Sequence, residues 1–157
     1  MGNKTNMRLL GVALALASPL LAAEAAAERI SGKEALAVMR SMDLSPELST
    51  DGVGDPQINF VIDGLHARLN FYDCKKDGRC GSLQLETALD LDDGTTYFVA
   101  NRFNKQYRYV RMFLDEEMDP YLQYDFEVLH ADAQAHLRSQ VEMFRTLLVN
   151  FKDAVDF

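Results

Sequence analysis

Between residues 57 and 90, apolar and polar side chains alternate through three successive runs, and this pattern restricts the chain more than any other feature in it. Ile58, Phe60 and Ile62 fall on one side of the first run, with Asn59, Val61 and Asp63 on the other. Leu65, Ala67, Leu69 and Phe71 then alternate with His66, Arg68, Asn70 and Tyr72. Leu83, Leu85, Thr87 and Leu89 alternate with Gln84, Glu86, Ala88 and Asp90. Strand side chains point to opposite faces in turn, so the three runs predict an antiparallel meander with one core face and one wet face. Asp63-Gly64 joins the first two runs. The tight turn that suits strand twist needs positive φ at both central residues, which Asp and Gly tolerate.

Cys74 and Cys80 bracket the second turn, with five residues between them. That spacing is neither a zinc pattern nor the C-x-x-C of a redox enzyme. In an oxidising compartment the pair reads as a structural disulfide across the neck of the loop. Such a bridge contributes about 2–2.5 kcal/mol by loop entropy. Free thiols, or redox or metal chemistry, are the alternatives.

The first residues have the form of a secretory signal. Lys4 and Arg8 precede an apolar run over 9–23, broken only by Ser18 and Pro19. Ala23-Glu24-Ala25 and Ala25-Ala26-Ala27 supply small-x-small patterns, predicting cleavage after Ala25 or Ala27. An uncleaved membrane anchor is the alternative, although a run of about 15 residues is short for a span. Gly2 before Thr5 also permits a myristoylation reading, against which Lys4 and the apolar run favour export. Cysteine is absent near the cleavage site, which argues against a lipoprotein. The expectation is a signal over 1–25 and a single periplasmic domain over 26–157, with no stable membrane insertion after cleavage.

The formal net charge is −8. Removing residues 1–25 takes away Lys4, Arg8 and Glu24, which moves it to −9. An acidic chain without a basic block suits neither nucleic acid nor anionic lipid.

Outside the meander, Ser31 and Glu34 have the spacing of a capping box for a first helix, with Leu36, Met39 and Met42 on one side and Pro46 after its end. Thr95 or Thr96 can cap a second helix over 97–106, carrying Phe98 and Phe103 with Val99 and Ala100 beside its seam. Strands are expected over 107–114 and 120–129; Leu122, Tyr124, Phe126 and Val128 share one face of the latter. Leu137, Val141, Phe144, Leu148, Phe151 and Val155 advance by threes and fours, so the last segment is an amphipathic helix, with Asp132 as its N-cap. The fold class is α+β, an antiparallel sheet with the order α-β-β-β-α-β-β-α.

Residues 50–56 are rich in Gly and Asp but lack the alternate ligands and distal Glu of a calcium loop. The acidic turns at 90–94 and 115–119 read as turns, with a weak divalent-cation site as the other reading. A nucleophile elbow, HExxH, P-loop and dinucleotide fingerprint are all missing. His66, His130 and His136 are scattered. No catalytic residue, metal ligand or cofactor is assigned.

Several patterns coincide in order. They are DGxGDPxINFxIDG from Asp51 to Gly64, and LNFYDC from Leu69 to Cys74 with its second cysteine. Asn101, Phe103, Asn104 and Arg108 follow as Asn-x-aromatic-Asn-(x)3-Arg, before an acidic turn, a strand with Asp125 and the final helix. Over about residues 31–157 this resembles the YbjN-domain family of bacterial sensory transduction regulators. The resemblance implies a type III secretion chaperone-like fold and no established enzyme activity. The motif aromatic, often Trp in the family, is Phe103 here.

The motif also has a physical reading. Asn101 and Asn104 could bond helix-end carbonyls or the loop into the next strand, Phe103 would fill the core, and Arg108 could pair with a carboxylate. A ligand-reading surface is the alternative. The functional expectation is an exported, non-enzymatic protein-binding, regulatory or chaperone-like module with an unidentified protein partner, for which a homodimer is also plausible. The alternative is a small-ligand or metal-sensing domain.

Overall fold

Asp63 and Gly64 both take positive φ, 49° and 83°, and turn β3 (Pro56–Ile62) into β4 (Leu65–Cys74). The register across this turn pairs Ile62 with Leu65 and Phe60 with Ala67. β5 (Arg79–Ala88) completes the meander, with Cys74 opposite Cys80. The computed structural model describes residues 1–2, 29–128 and 132–157. The expected signal beyond Gly2, its cleavage sites, Leu129 and His130 lie outside the described residues.

The remaining elements are β1 (Ile30–Ser31), α1 (Gly32–Arg40), β2 (Glu47–Thr50), α2 (Tyr97–Gln106), β6 (Val110–Leu114), β7 (Pro120–Glu127) and α3 (Ala133–Ala154). The sheet runs β2-β3-β4-β5-β7-β6, and β1 pairs with β5 beyond the end of β7. Every pairing is antiparallel. The α+β class and the expected order of the main elements are met, with two short strands added. β1 is two residues long and β2 reads Glu-Leu-Ser-Thr, too short to display a period.

Capping follows the local chemistry. The Ser31 hydroxyl accepts from Glu34 N at 3.3 Å while Glu34 Oε2 accepts from Ser31 N at 2.8 Å, a complete capping box. Thr96, rather than Thr95, caps α2 by accepting from Val99 N, and Asp132 caps α3 by accepting from Ala135 N. The α3 stripe of Leu137, Val141, Phe144, Leu148 and Phe151 is buried, with Val155 half-buried. It lies over the inward face of the sheet, where Ile58, Ile62, Leu69, Phe71, Leu83, Leu85 and Leu122 are also buried. α1 and α2 flank α3 on that side.

Four local expectations are corrected. On α1 the buried side chains are Ala35, Val38 and Met39, while Leu36 and Met42 only border the core. Phe98 is 72% exposed whereas Phe103 is 2% exposed. Five residues at roughly 100° each leave these rings about 140° apart, so one seam cannot hold both. The strand expected over 107–114 begins at Val110, after Tyr109 at φ 65°, and the strand expected over 120–129 ends at Glu127. Finally, Gln84 and Glu86, expected on a wet face, are 5% and 7% exposed. β5 lies mid-sheet, and the long side chains of β4 and β7 close over it. Among the described residues no helix is long and apolar enough to cross a membrane.

Candidate functional site

The sheet face turned away from the helices is built from register. Gln57, Asn70, Gln84 and Asp125 stand in one row across four strands. Asn59, Arg68, Glu86, Gln123 and Arg111 form the next row across five. Beyond it lie Val61 beside His66, and Ala88, Tyr121 and Phe113.

In the first row each amide passes a hydrogen bond to the next. Gln57 Nε2 donates to Asn70 Oδ1 at 2.9 Å, Asn70 Nδ2 to Gln84 Oε1 at 3.3 Å, and Gln84 Nε2 to Asp125 Oδ1 at 2.7 Å. The Tyr72 hydroxyl also donates to Gln84 Oε1, at 3.4 Å. Burial, then the Glu86 and Asp125 carboxylates, push the Tyr72 phenol above its ordinary pKa. In the second row Arg68 Nη2 and Gln123 Nε2 donate to the two oxygens of Glu86, and Arg111 Nε donates to Gln123 Oε1 at 2.7 Å. Both oxygens of Glu86 are therefore engaged in holding neighbours, which suits a rigid surface better than proton transfer. In the third row the Phe113 and Tyr121 rings stack with centroids 5.0 Å apart.

A groove of about 670 Å³ opens on this face, lined by Glu47, Asn59, Val61, His66, Arg68 and Tyr121 among others. It offers a charged and amide floor beside an apolar strip. An extended chain could lay alternate side chains across such rows.

The expected site residues are elsewhere. Cys74 and Cys80 are joined by a disulfide at the hairpin tip, with Cα atoms 3.9 Å apart. The tip holds the residue just ahead of β1. Arg29 Nη2 donates to Asp73 Oδ2 at 2.5 Å, and a Cβ on Gly81 would stand 2.8 Å from Arg29 Nη1 and from Asp73 Oδ2. Arg29 first, and Lys75 after it, hold the Asp73 carboxyl below its ordinary pKa.

The Asn101/Phe103/Asn104/Arg108 motif is dispersed in role. Phe103 is buried against Tyr107 and Phe151. Asn104 bonds the backbone of Met112 in β6. The Asn101 side chain is exposed and makes no hydrogen bond to another side chain or to the backbone among the described residues. Arg108 lies over the Tyr109 ring at 5.5 Å, in place of the expected carboxylate partner. These positions lie apart from the open-face rows.

Of the two acidic turns, the one at Asp115, Glu117 and Asp119 brings three carboxylates within 4.8 Å of one another. Asp115 Oδ1 already accepts from Glu117 N and Asp119 N, at 3.0 Å and 2.9 Å, which gives the cluster a structural reason. His66 is exposed at the groove, and His136 meets Glu127 O through Nε2 at 3.1 Å.

Gln57, Gln84, Gln123 and Arg111 were not expected as a set. Their signal is register, which no short motif carries.

A search of curated proteins gives no match. The crystal structure of the Yersinia pestis type III secretion chaperone SycH, in complex with a stable fragment of YscM2, is similar at 14% identity. The similarity covers 80% of this chain and 97% of that chain, with a TM-score of 0.49. Residues 36–157 match the profile of the YbjN family, described as "Putative bacterial sensory transduction regulator". That match spans most of the sheet and all of α2 and α3, and the chain belongs to the YbjN family.

Proposed function

We propose that the protein is an exported, non-enzymatic regulatory module that holds an extended segment of a partner protein on its open sheet face. The carrying observation is that face. Its donors and acceptors are fixed by each other before any partner arrives, so binding loses little side-chain freedom. The groove beside Val61 and Tyr121 gives apolar side chains a place, and Asn59, His66 and Arg68 offer polar contacts along it. The regulatory description of the family supports this reading. The basic-then-apolar leader and the disulfide support export to the periplasm.

The test is photo-crosslinking in periplasmic extract from single positions. Asn59 and His66 sit on the open face, and Met143 is exposed on α3. A protein captured from Asn59 and His66 but not from Met143 is the expected result. Capture from Met143 alone, or equal capture from all three, overturns the assignment.

A second reading is a small-ligand or divalent-cation sensor. The carboxylates of Asp115, Glu117 and Asp119 favour the cation form. A thermal-shift series with calcium, magnesium and manganese decides it. A shift lost in Asp119→Asn supports this reading, and no shift removes it.

A further inference from the structure

Asn104, in the last turns of α2, takes both backbone hydrogen-bonding groups of Met112. Its Nδ2 donates to Met112 O at 2.9 Å, and Met112 N donates to its Oδ1 at 2.7 Å. Along an antiparallel strand, the N–H and C=O of one residue point to the same side, and the side alternates with each residue. β6 is the last strand of the sheet, with β7 on its other flank. Met112 therefore turns its pair outward, and one side-chain amide fills the place that a neighbouring strand would fill. Unpaired edges recruit further strands, and folded proteins cover them by various devices.

We propose that Asn104 is an edge lock, which keeps β6 from pairing with β6 of a second copy of this chain. The sequence of the strand fits that occupant. Two copies paired antiparallel about Met112 would set Val110 opposite Leu114 and Arg111 opposite Phe113. Apolar side chains would then meet on one face, and each guanidinium would meet a ring rather than another cation. Phe113 and Arg111 face the open side of the sheet, away from α3, while α2 lies beside the β6 edge itself. The arrangement also gives the second Asn of the family-like motif a physical task separate from ligand recognition.

The experiment is sedimentation of the folded protein over a range of concentrations. Asn104→Ala is expected to reach twice the wild-type mass as concentration rises. Adding Phe113→Lys to that variant sets a second cation opposite Arg111, and is expected to restore the wild-type mass. A merely structural Asn104 would lower the melting temperature and leave the mass alone. Asn104→Ala that folds and keeps the wild-type mass overturns the proposal, as does a double variant that still doubles. Should Asn104→Ala fail to fold, amide exchange in the wild-type protein decides. Slow exchange at Met112, at the outer edge of the sheet, is expected, and exchange as fast as in a free loop overturns the lock.

Discussion

Arg79 Nη1 stands 2.9 Å from Glu34 Oε2, joining the disulfide-bonded hairpin to the first turn of α1. The same carboxylate accepts from Ser31 N and from the Ser31 hydroxyl. One side chain thus closes the helix cap and ties it to the sheet.

The Glu34 pKa follows from that geometry. Burial works to raise it, but the bonds from Ser31 and Arg79 outweigh burial and hold it below the ordinary 4.5. A lowered folded-state pKa means that the native state binds fewer protons than the unfolded chain. The stabilisation is complete above that ordinary value and is lost as pH falls through the folded value. Glu34→Gln keeps an acceptor for the capping box but removes its charge, so it should cost less than about 1 kcal/mol at pH 7, with the gap narrowing toward pH 3. Urea midpoints for both proteins at the two pH values give the comparison.

Reducing the disulfide opens a short loop in the unfolded chain. Stability should fall by about 2 kcal/mol, read as a lower denaturant midpoint in the presence of reductant. Amide exchange should rise first at Ile30 and Cys80, because β1 pairs with β5 there.

On the open face, Glu86 and Arg68 should respond unequally. Glu86 is buried and serves Arg68 and Gln123 together. Glu86→Ala should cost about 1–3 kcal/mol, since it removes the buried acceptor that two hydrogen bonds share. The Arg68 side chain is 48% exposed, and Arg68→Ala should cost less than about 1 kcal/mol. Equal losses in a denaturant titration would contradict the network described.

Two rings on α2 offer a sharper contrast. Phe103→Ala should cost about 3–5 kcal/mol through cavity formation. Phe98→Ala should stay within about 0.5 kcal/mol, since its ring is exposed beside Arg102. Melting curves of the two variants are sufficient.

These rings mark where sequence reasoning reaches its limit. The α3 stripe is long enough for its period to fix a face, and every residue assigned to it is buried or half-buried. α2 spans ten residues and carries aromatics on two sides, so composition alone does not choose between Phe98 and Phe103. Part of the open face was open to deduction. The Asp63-Gly64 turn sets Asn59 opposite Arg68, and the Cys74–Cys80 pair sets Arg68 opposite Glu86 and Asn70 opposite Gln84. The next step, Glu86 opposite Gln123, crosses a helix, a strand and three connections, and no local signal fixes it. β1 and β2 were hidden for another reason. Each is held by the strand beside it rather than by a pattern of its own.

β5 draws its partners from three parts of the chain, two of them distant: Ile30 lies opposite Cys80, while Phe71 of the adjacent β4 and Phe126 both lie opposite Leu83. A chain emerging from its N-terminus presents β3, β4 and β5 before β7 has been made. Throughout that interval one flank of the future central strand is bare. Closing it must wait for a loop that contains all of α2 and β6, and loop-closure entropy is met before the contacts reward it. The segment that ends as the best-protected part of the sheet is therefore, during synthesis, the part most exposed to mispairing.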